Sequence, residues 1–218
     1  MKNNRNNITE LVFILDRSGS MSGLEDDTIG GYNGLLEKQK KVDGEARVTT
    51  VLFDDGYEVL HDHADITKVE SITDKEYYAR GSTALLDAIG KTINMVGKRH
   101  KYAPDSEIPQ KTMVVIITDG HENASREYRL QEIKAMVERQ QQKYGWEFLF
   151  LGANMDAIST ASSFGISADR AATYCPTSSG TRANFKAVES VCYSVRAGKS
   201  VDTNWKNDIE SPRFFKRR

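Results

Sequence analysis

Asp16, Ser18 and Ser20 alternate along the stretch Asp16-Arg17-Ser18-Gly19-Ser20. That spacing can turn one carboxylate and two hydroxyls toward a common centre. In extended chain, residues i, i+2 and i+4 face the same way, and Gly19 permits a tight bend between the serines. Hard oxygen donors of this kind suit Mg²⁺, with Mn²⁺ or Ca²⁺ as alternatives, rather than zinc or copper. Two more stretches carry matching donors. Thr83, in Arg80-Gly81-Ser82-Thr83-Ala84-Leu85-Leu86-Asp87-Ala88, places a hydroxyl just before an apolar-periodic segment, and Asp119 supplies a second carboxylate after Met113-Val114-Val115-Ile116-Ile117-Thr118. Asp and Ser also serve as ordinary turn and capping residues. The three stretches together, rather than any one of them, point to cation chemistry.

Donors so far apart in the chain converge only if strands and helices deliver them to one rim. The chain alternates the two, as expected for an α/β fold with a mainly parallel, doubly wound sheet covered by helices on both faces. Strands are predicted near 9–15, 46–53, 57–62, 112–118, 146–151 and 170–174. Helices are predicted near 24–41, 83–98, 126–144, 156–163 and 180–197. The unbroken apolar run Met113–Ile117 reads as a strand buried on both faces. Asp54-Asp55-Gly56-Tyr57 has the Asp-Gly character of a hairpin turn, so 57–62 should return antiparallel as an edge strand of a six-stranded sheet. One domain over 1–201 and a tail over 202–218 are expected. Ligands on such sheets bind outside the carboxyl ends of strands, where the strand order reverses, and Asp16 and Asp119 both lie at strand ends.

The three donor stretches, in this order and context, closely resemble the metal-ion-dependent adhesion site of von Willebrand factor type A domains. Asp16, Ser18, Ser20, Thr83 and Asp119 match its five metal positions. The strings Asp16-Arg17-Ser18-Gly19-Ser20-Met21 and Thr118-Asp119-Gly120-His121-Glu122-Asn123 look like those of bacterial and phage members of the family. The resemblance implies a Rossmann-like sheet with the first and fourth strands adjacent, hydroxyls that coordinate directly, and aspartates that act largely through water. It also implies a position left for an Asp or Glu carboxylate of a protein partner. Arg17, Met21, Ser22, Arg80, Ser82, His121 and Glu122 adjoin the donor loops and are expected to contact that partner, with Asp54, Asp55, Tyr78 and Asn123 as further rim positions. Arg17 is the most attractive of these, since its guanidinium could steer a carboxylate.

Two other function classes stand beside this one: a metal-dependent hydrolase, and a structural subunit whose metal only stabilises the fold. Catalysis is disfavoured because Ser18 occupies the place of the second acid of a haloacid-dehalogenase-type phosphatase. The chain also lacks a Gly-x-x-x-x-Gly-Lys-Ser/Thr loop and a Gly-x-Ser-x-Gly elbow. Lys plus Arg number 30 against 31 for Asp plus Glu. No global basic field is therefore available for nucleic acid or anionic membrane. The polar start Met1–Asn7 and the absence of an apolar run near ~20 residues lead to the expectation of a soluble, cytoplasmic protein. Cys175 and Cys192 lack zinc spacing and are expected to be reduced. His61 and His63 share a predicted strand face and could hold a second metal, although polar residues on an edge strand also guard against edge pairing. Phe214 and Phe215 suggest a docked C-terminal segment.

Overall fold

The structure, a computed structural model, describes residues 7–211. Six strands form one sheet: β1 (Thr9–Asp16), β2 (Ala46–Phe53), β3 (Tyr57–Asp65), β4 (Lys111–Thr118), β5 (Glu147–Ala153) and β6 (Ala171–Tyr174), in the order β3-β2-β1-β4-β5-β6. All neighbours run parallel except the β2–β3 pair, which is antiparallel. The helices are α1 (Glu25–Gln39), α2 (Leu85–Tyr102), α3 (Leu130–Tyr144), α4 (Ala157–Ser163) and α5 (Ser178–Arg196).

The period-two alternation of strand side chains divides the core cleanly. Leu11, Phe13 and Leu15 of β1 pack with Tyr32 and Leu35 of α1 and Val188 and Val191 of α5 on one face. Val12 and Ile14 pack with Ile89 and Ile93 of α2, Ile133 of α3 and Ala161 of α4 on the other. A strand covered on both sides is apolar along its middle, which is why Leu11–Leu15 of β1 and Met113–Ile117 of β4 read as continuous runs. β1 and β4 are adjacent, as the resemblance implied, and their register pairs Leu15 with Ile117. The first residues beyond each strand therefore emerge side by side.

Three segments differ from the sequence-based expectation. α3 begins at Leu130 rather than near 126, because the Asp87 carboxylate accepts the backbone N–H groups of Arg126, Glu127 and Tyr128 at 2.9–3.0 Å. Those donors are satisfied without a helical turn. β3 extends to Asp65, with register shifts on both sides of Thr50, and His63 adopts a φ of 52°. The bulge interrupts alternation: His61 Nδ1 lies 3.0 Å from Thr50 Oγ1, whereas His63 Nδ1 faces Glu10. No cluster of three or more His, Cys, Asp or Glu side chains suited to a metal occurs among the described residues. The segment after Val201, expected as a tail, is folded as far as Ser211. Trp205 Nε1 donates to the Asp169 carbonyl at 2.8 Å, Lys206 Nζ donates to the carbonyls of Ala168 and Ala171, and Ile209 is buried. Met1–Asn6 and residues 212–218, including Phe214 and Phe215, lie outside the described residues. Cys175 and Cys192 are separate thiols, and Cys192 is fully buried. Among the described residues no helix is long and apolar enough to cross a membrane.

Candidate metal centre

The end of β1 is held rigidly before any ligand is considered. Asp16 is buried, and each of its carboxylate oxygens already accepts a hydrogen bond: Oδ1 from the Ser18 backbone N–H at 2.6 Å and Oδ2 from Thr118 Oγ1 at 2.5 Å. Tyr77 OH donates to the Asp16 carbonyl at 2.5 Å. The first of these bonds closes the turn that swings Ser18 and Ser20 around, so that their hydroxyl oxygens stand 3.0 Å apart. Thr83 Oγ1 donates to Ser18 Oγ at 3.0 Å, completing a triangle of neutral oxygens from two loops.

Thr83 lies in the loop two residues before α2 rather than on the helix, and several backbone bonds fix it. Its N–H donates to Asn123 Oδ1 at 2.9 Å, while its carbonyl accepts from the N–H groups of Asn123 and Ala124. Gly81 brings the same loop against the serine turn: its carbonyl accepts from Gly19 N–H at 3.1 Å, and its φ of 67° suits glycine. Gly120, next to Asp119, faces the hydroxyls. A Cβ built on it would lie 2.8 Å from Thr83 Oγ1 and 3.0 Å from Ser20 Oγ. The hydroxyls thus border a cradle that a single methyl group would fill.

The electrostatics suit a cation. Burial pushes the Asp16 carboxyl above its ordinary value, and its hydrogen bonds only partly oppose this. Asp119 is pushed up to about 6, first by burial and then by the negative charge of Asp16, against the hydrogen bond from Asn154. Two anions in a desolvated pocket repel each other unless a positive charge joins them. Three hydroxyl oxygens and two carboxylates, with no nitrogen or sulfur, make a donor set for a hard dication. The residues therefore fit the group that the sequence resemblance implied. Asp16, Ser18, Ser20, Thr83 and Asp119 would hold it.

The expected partner contacts fare unevenly. Ser22, Arg80, Ser82 and His121 are exposed around the donor loops, as are Asp55, Tyr78 and Asn123. Arg17 is not available: it is buried, its Nε 3.0 Å from Asp54 Oδ2 and its Nη1 2.8 Å from Glu58 Oε2. A guanidinium in a buried strand-end turn must be paired, and those two carboxylates pair it. Asp54 is buried with it and also binds Arg80 Nε at 2.7 Å. Burial alone would raise the Asp54 carboxyl, but Arg80, the Gly56 N–H and Arg17 outweigh it and hold the group below its ordinary value. Met21 is buried in the core with Leu15 and Tyr32, because the turn after Ser20 points it back toward α1. Glu122 is spent internally. Its Oε2 accepts from Leu86 N–H at 2.9 Å at the start of α2, and its Oε1 accepts from Ala124 and Ser125 N–H. Glu122 and Asn123 therefore shape the loop that grips Thr83.

Two site residues are not evident from sequence. Thr118 looks like one more strand residue, and only the β1–β4 pairing shows its hydroxyl on Asp16. Asn154 follows β5, and its Nδ2 donates to Asp119 Oδ1 at 2.5 Å. A Gly-x-Asn ending to an apolar run signals a turn, though not a bond to a residue 35 positions away.

The von Willebrand factor type A domain profile matches residues 10–181, so the chain belongs to that family. Domains of this class commonly act as metal-dependent adhesion or protein-interaction modules. Solved structures share the fold at low identity. Proximal thread matrix protein 1 from the mussel byssus has a TM-score of 0.60 at 14% identity, with 85% of this chain and 46% of that chain covered. The D319A mutant of the PilB minor pilin from Streptococcus sanguinis has a TM-score of 0.61 at 12% identity, covering 92% and 65%. A von Willebrand factor type A protein from Catenulispora acidiphila has a TM-score of 0.55 at 12% identity, covering 85% and 42%. The chain thus spans 42–65% of the length of these proteins. No curated protein sequence matches significantly.

Proposed function

We propose that this domain is a metal-dependent protein-recognition module, in which Asp16, Ser18, Ser20, Thr83 and Asp119 hold a divalent cation, Mg²⁺ in the first instance, and a partner's Asp or Glu carboxylate completes the coordination. The observation that carries the reading is the hydroxyl triangle of Ser18, Ser20 and Thr83, facing Gly120 and backed by two buried carboxylates. When bound, a dication offsets the mutual repulsion of Asp16 and Asp119 and attracts a further anion. Neutral hydroxyls leave that attraction undiminished. Ser20 is exposed whereas Ser18 and Thr83 are buried, so an incoming carboxylate approaches on the Ser20 side. The surrounding Ser22, Ser82, Arg80 and His121 then supply polar contacts that distinguish one acidic partner from another. We read the domain as non-catalytic and cytoplasmic, with specificity residing in the rim.

The direct test uses an array of peptides, each bearing one central Asp or Glu in varied sequence, read with Mg²⁺ and with EDTA. Binding should appear for a subset with Mg²⁺, vanish with EDTA, and vanish when the central acid becomes Asn or Gln. Peptide binding that persists unchanged in EDTA would sink the reading.

The carboxylates also set a pH dependence. A carboxyl whose folded value is raised binds its proton more tightly in the folded state. Stability without metal is therefore lost as pH rises from the ordinary carboxylate range through about 6, the value reached by Asp119. Cation binding requires the ionised forms and so has the opposite slope. Mg²⁺ should raise the melting temperature clearly at pH 7.5 and hardly at pH 5, with affinity falling about tenfold per unit below pH 6. An equal thermal shift at both pH values would show that Asp119 does not titrate with the cation.

A further inference from the structure

Asn154 belongs to no donor loop, yet it is tied to one. It lies just past β5, whose register places Gly152 beside Thr118 of β4, so the residues that follow the two strands sit together on the rim. Its backbone occupies the left-handed region at a φ of 54°. Only His63 shares this condition among the non-glycine residues described. Asparagine tolerates that conformation better than most residues, though at a cost. The turn behind it is tight: a Cβ on Gly152 would fall 2.8 Å from Met155 Sδ and 3.1 Å from Ala157 Cβ. A packed turn therefore holds an exposed side chain in a strained backbone, and the amide reaches inward to Asp119 Oδ1 at 2.5 Å.

We infer that Asn154 is a positioning residue for Asp119, fixing one carboxylate oxygen so that the other presents a set direction to the metal centre. This inference rests on the metal reading above. The chemistry of the side chain supports the assignment. A carboxyl group rotates easily about its last torsion, and a ligand that must adopt one orientation benefits from a second bond. Lys or Arg at this position would neutralise Asp119 and compete with the cation. Asp would repel it. A neutral amide donor orients the anion and leaves its charge available. Leaving the sheet one residue after Ala153, in the left-handed conformation, is what carries the amide to Asp119.

The test separates the side chain from the backbone. Asn154→Gly removes the amide and accepts the left-handed conformation, whereas Asn154→Ala removes the amide and also bears the conformational penalty. Magnesium is titrated by calorimetry into metal-stripped wild type and both variants, and each is melted without metal. Both variants should bind Mg²⁺ about 10–100-fold more weakly than wild type, the range typical of residues that orient a ligand. Only Asn154→Ala should also melt lower than Asn154→Gly. If Asn154→Gly binds Mg²⁺ as tightly as wild type, Asn154 serves its backbone alone and the inference is overturned. If wild type binds no cation, the metal reading fails and this inference falls with it, a result distinguished by the wild-type trace.

Discussion

Ser18→Ala is expected to abolish detectable Mg²⁺ binding, a loss of more than about 100-fold, while the domain stays folded. Ser18 Oγ is the vertex shared by the two loops, 3.0 Å from Ser20 Oγ and 3.0 Å from Thr83 Oγ1. The substitution removes one oxygen and no charge. The bond from Ser18 N–H to Asp16 that shapes the turn is a backbone bond and survives. The cost in stability is one hydroxyl partner for buried Thr83 and one for exposed Ser20, about 1–2 kcal/mol in all. Gly120→Ala attacks the same site by the opposite means. It keeps every donor and places a methyl group 2.8 Å from Thr83 Oγ1 and 3.0 Å from Ser20 Oγ, in the space they border. Both variants should give flat calorimetric traces beside a binding wild type, with cooperative melting retained. A Ser18→Ala variant with wild-type affinity would remove the serine turn from the metal centre. The same affinity in Gly120→Ala would show that the cation lies elsewhere.

The other large effect lies at the opposite end of β1. Glu10 is fully buried, and its carboxylate is surrounded: Arg99 Nη1 and His100 Nε2 each approach to 2.6 Å, and Thr49 Oγ1 donates at 2.9 Å. His63 Nδ1 stands 3.3 Å away, at ion-pair distance but without hydrogen-bond geometry. Burial alone would raise this carboxyl, but the hydrogen bond of His100, the nearby His63 imidazole and the charge of Arg99 outweigh it and hold it well below the ordinary range. Removing one partner from a buried ion pair costs about 3–5 kcal/mol. Arg99→Ala should cost about 3 kcal/mol, the lower end, because His100 remains in contact. The sign of the pH dependence follows. A depressed carboxyl contributes stability above the ordinary carboxylate value of about 4.3 and loses that contribution as pH falls. The difference between Arg99→Ala and wild type should therefore be full at pH 7 and shrink below about pH 4, as Glu10 of the variant takes up a proton. Urea unfolding at pH 7 and pH 3.5 measures both points. A variant within 1 kcal/mol of wild type at pH 7 would mean that the imidazoles alone suffice for Glu10.

Both effects depend on α2, which begins beside Thr83 and carries Arg99 and His100 in its last turn. One helix thus links the hydroxyl loop at one pole of the sheet to the buried acid at the other. Its entry is controlled by Glu122 and Asn123, and the Asp87 carboxylate in its first turn ties down the chain that leads into α3. Burial would raise the Asp87 carboxyl, but three backbone N–H groups and Lys91 hold it below its ordinary value.

The sequence by itself determined the order and type of the elements, and it singled out the residues proposed as the donor set. Continuous apolar runs and amphipathic runs of period 3.6 are local patterns enforced by burial, so β1, β2, β4 and the five helices were legible to within a few residues. The Asp16-x-Ser18-x-Ser20 alternation is local in the same sense. The direction of a rim side chain is not local. Arg17 and Met21 flank the serine turn as Ser22 does, yet Arg17 is paired beneath Asp54 and Glu58, and Met21 fills the core above α1. Glu122 and Asn123 bind backbone groups about 40 positions earlier in the chain. Thr118 reaches Asp16 across 102 positions, and Asn154 reaches Asp119 from the next strand. Only the tertiary structure decided these assignments. A polar side chain at a strand end binds whatever neighbour desolvates with it, and that neighbour is set by strand order and register rather than by adjacent residues.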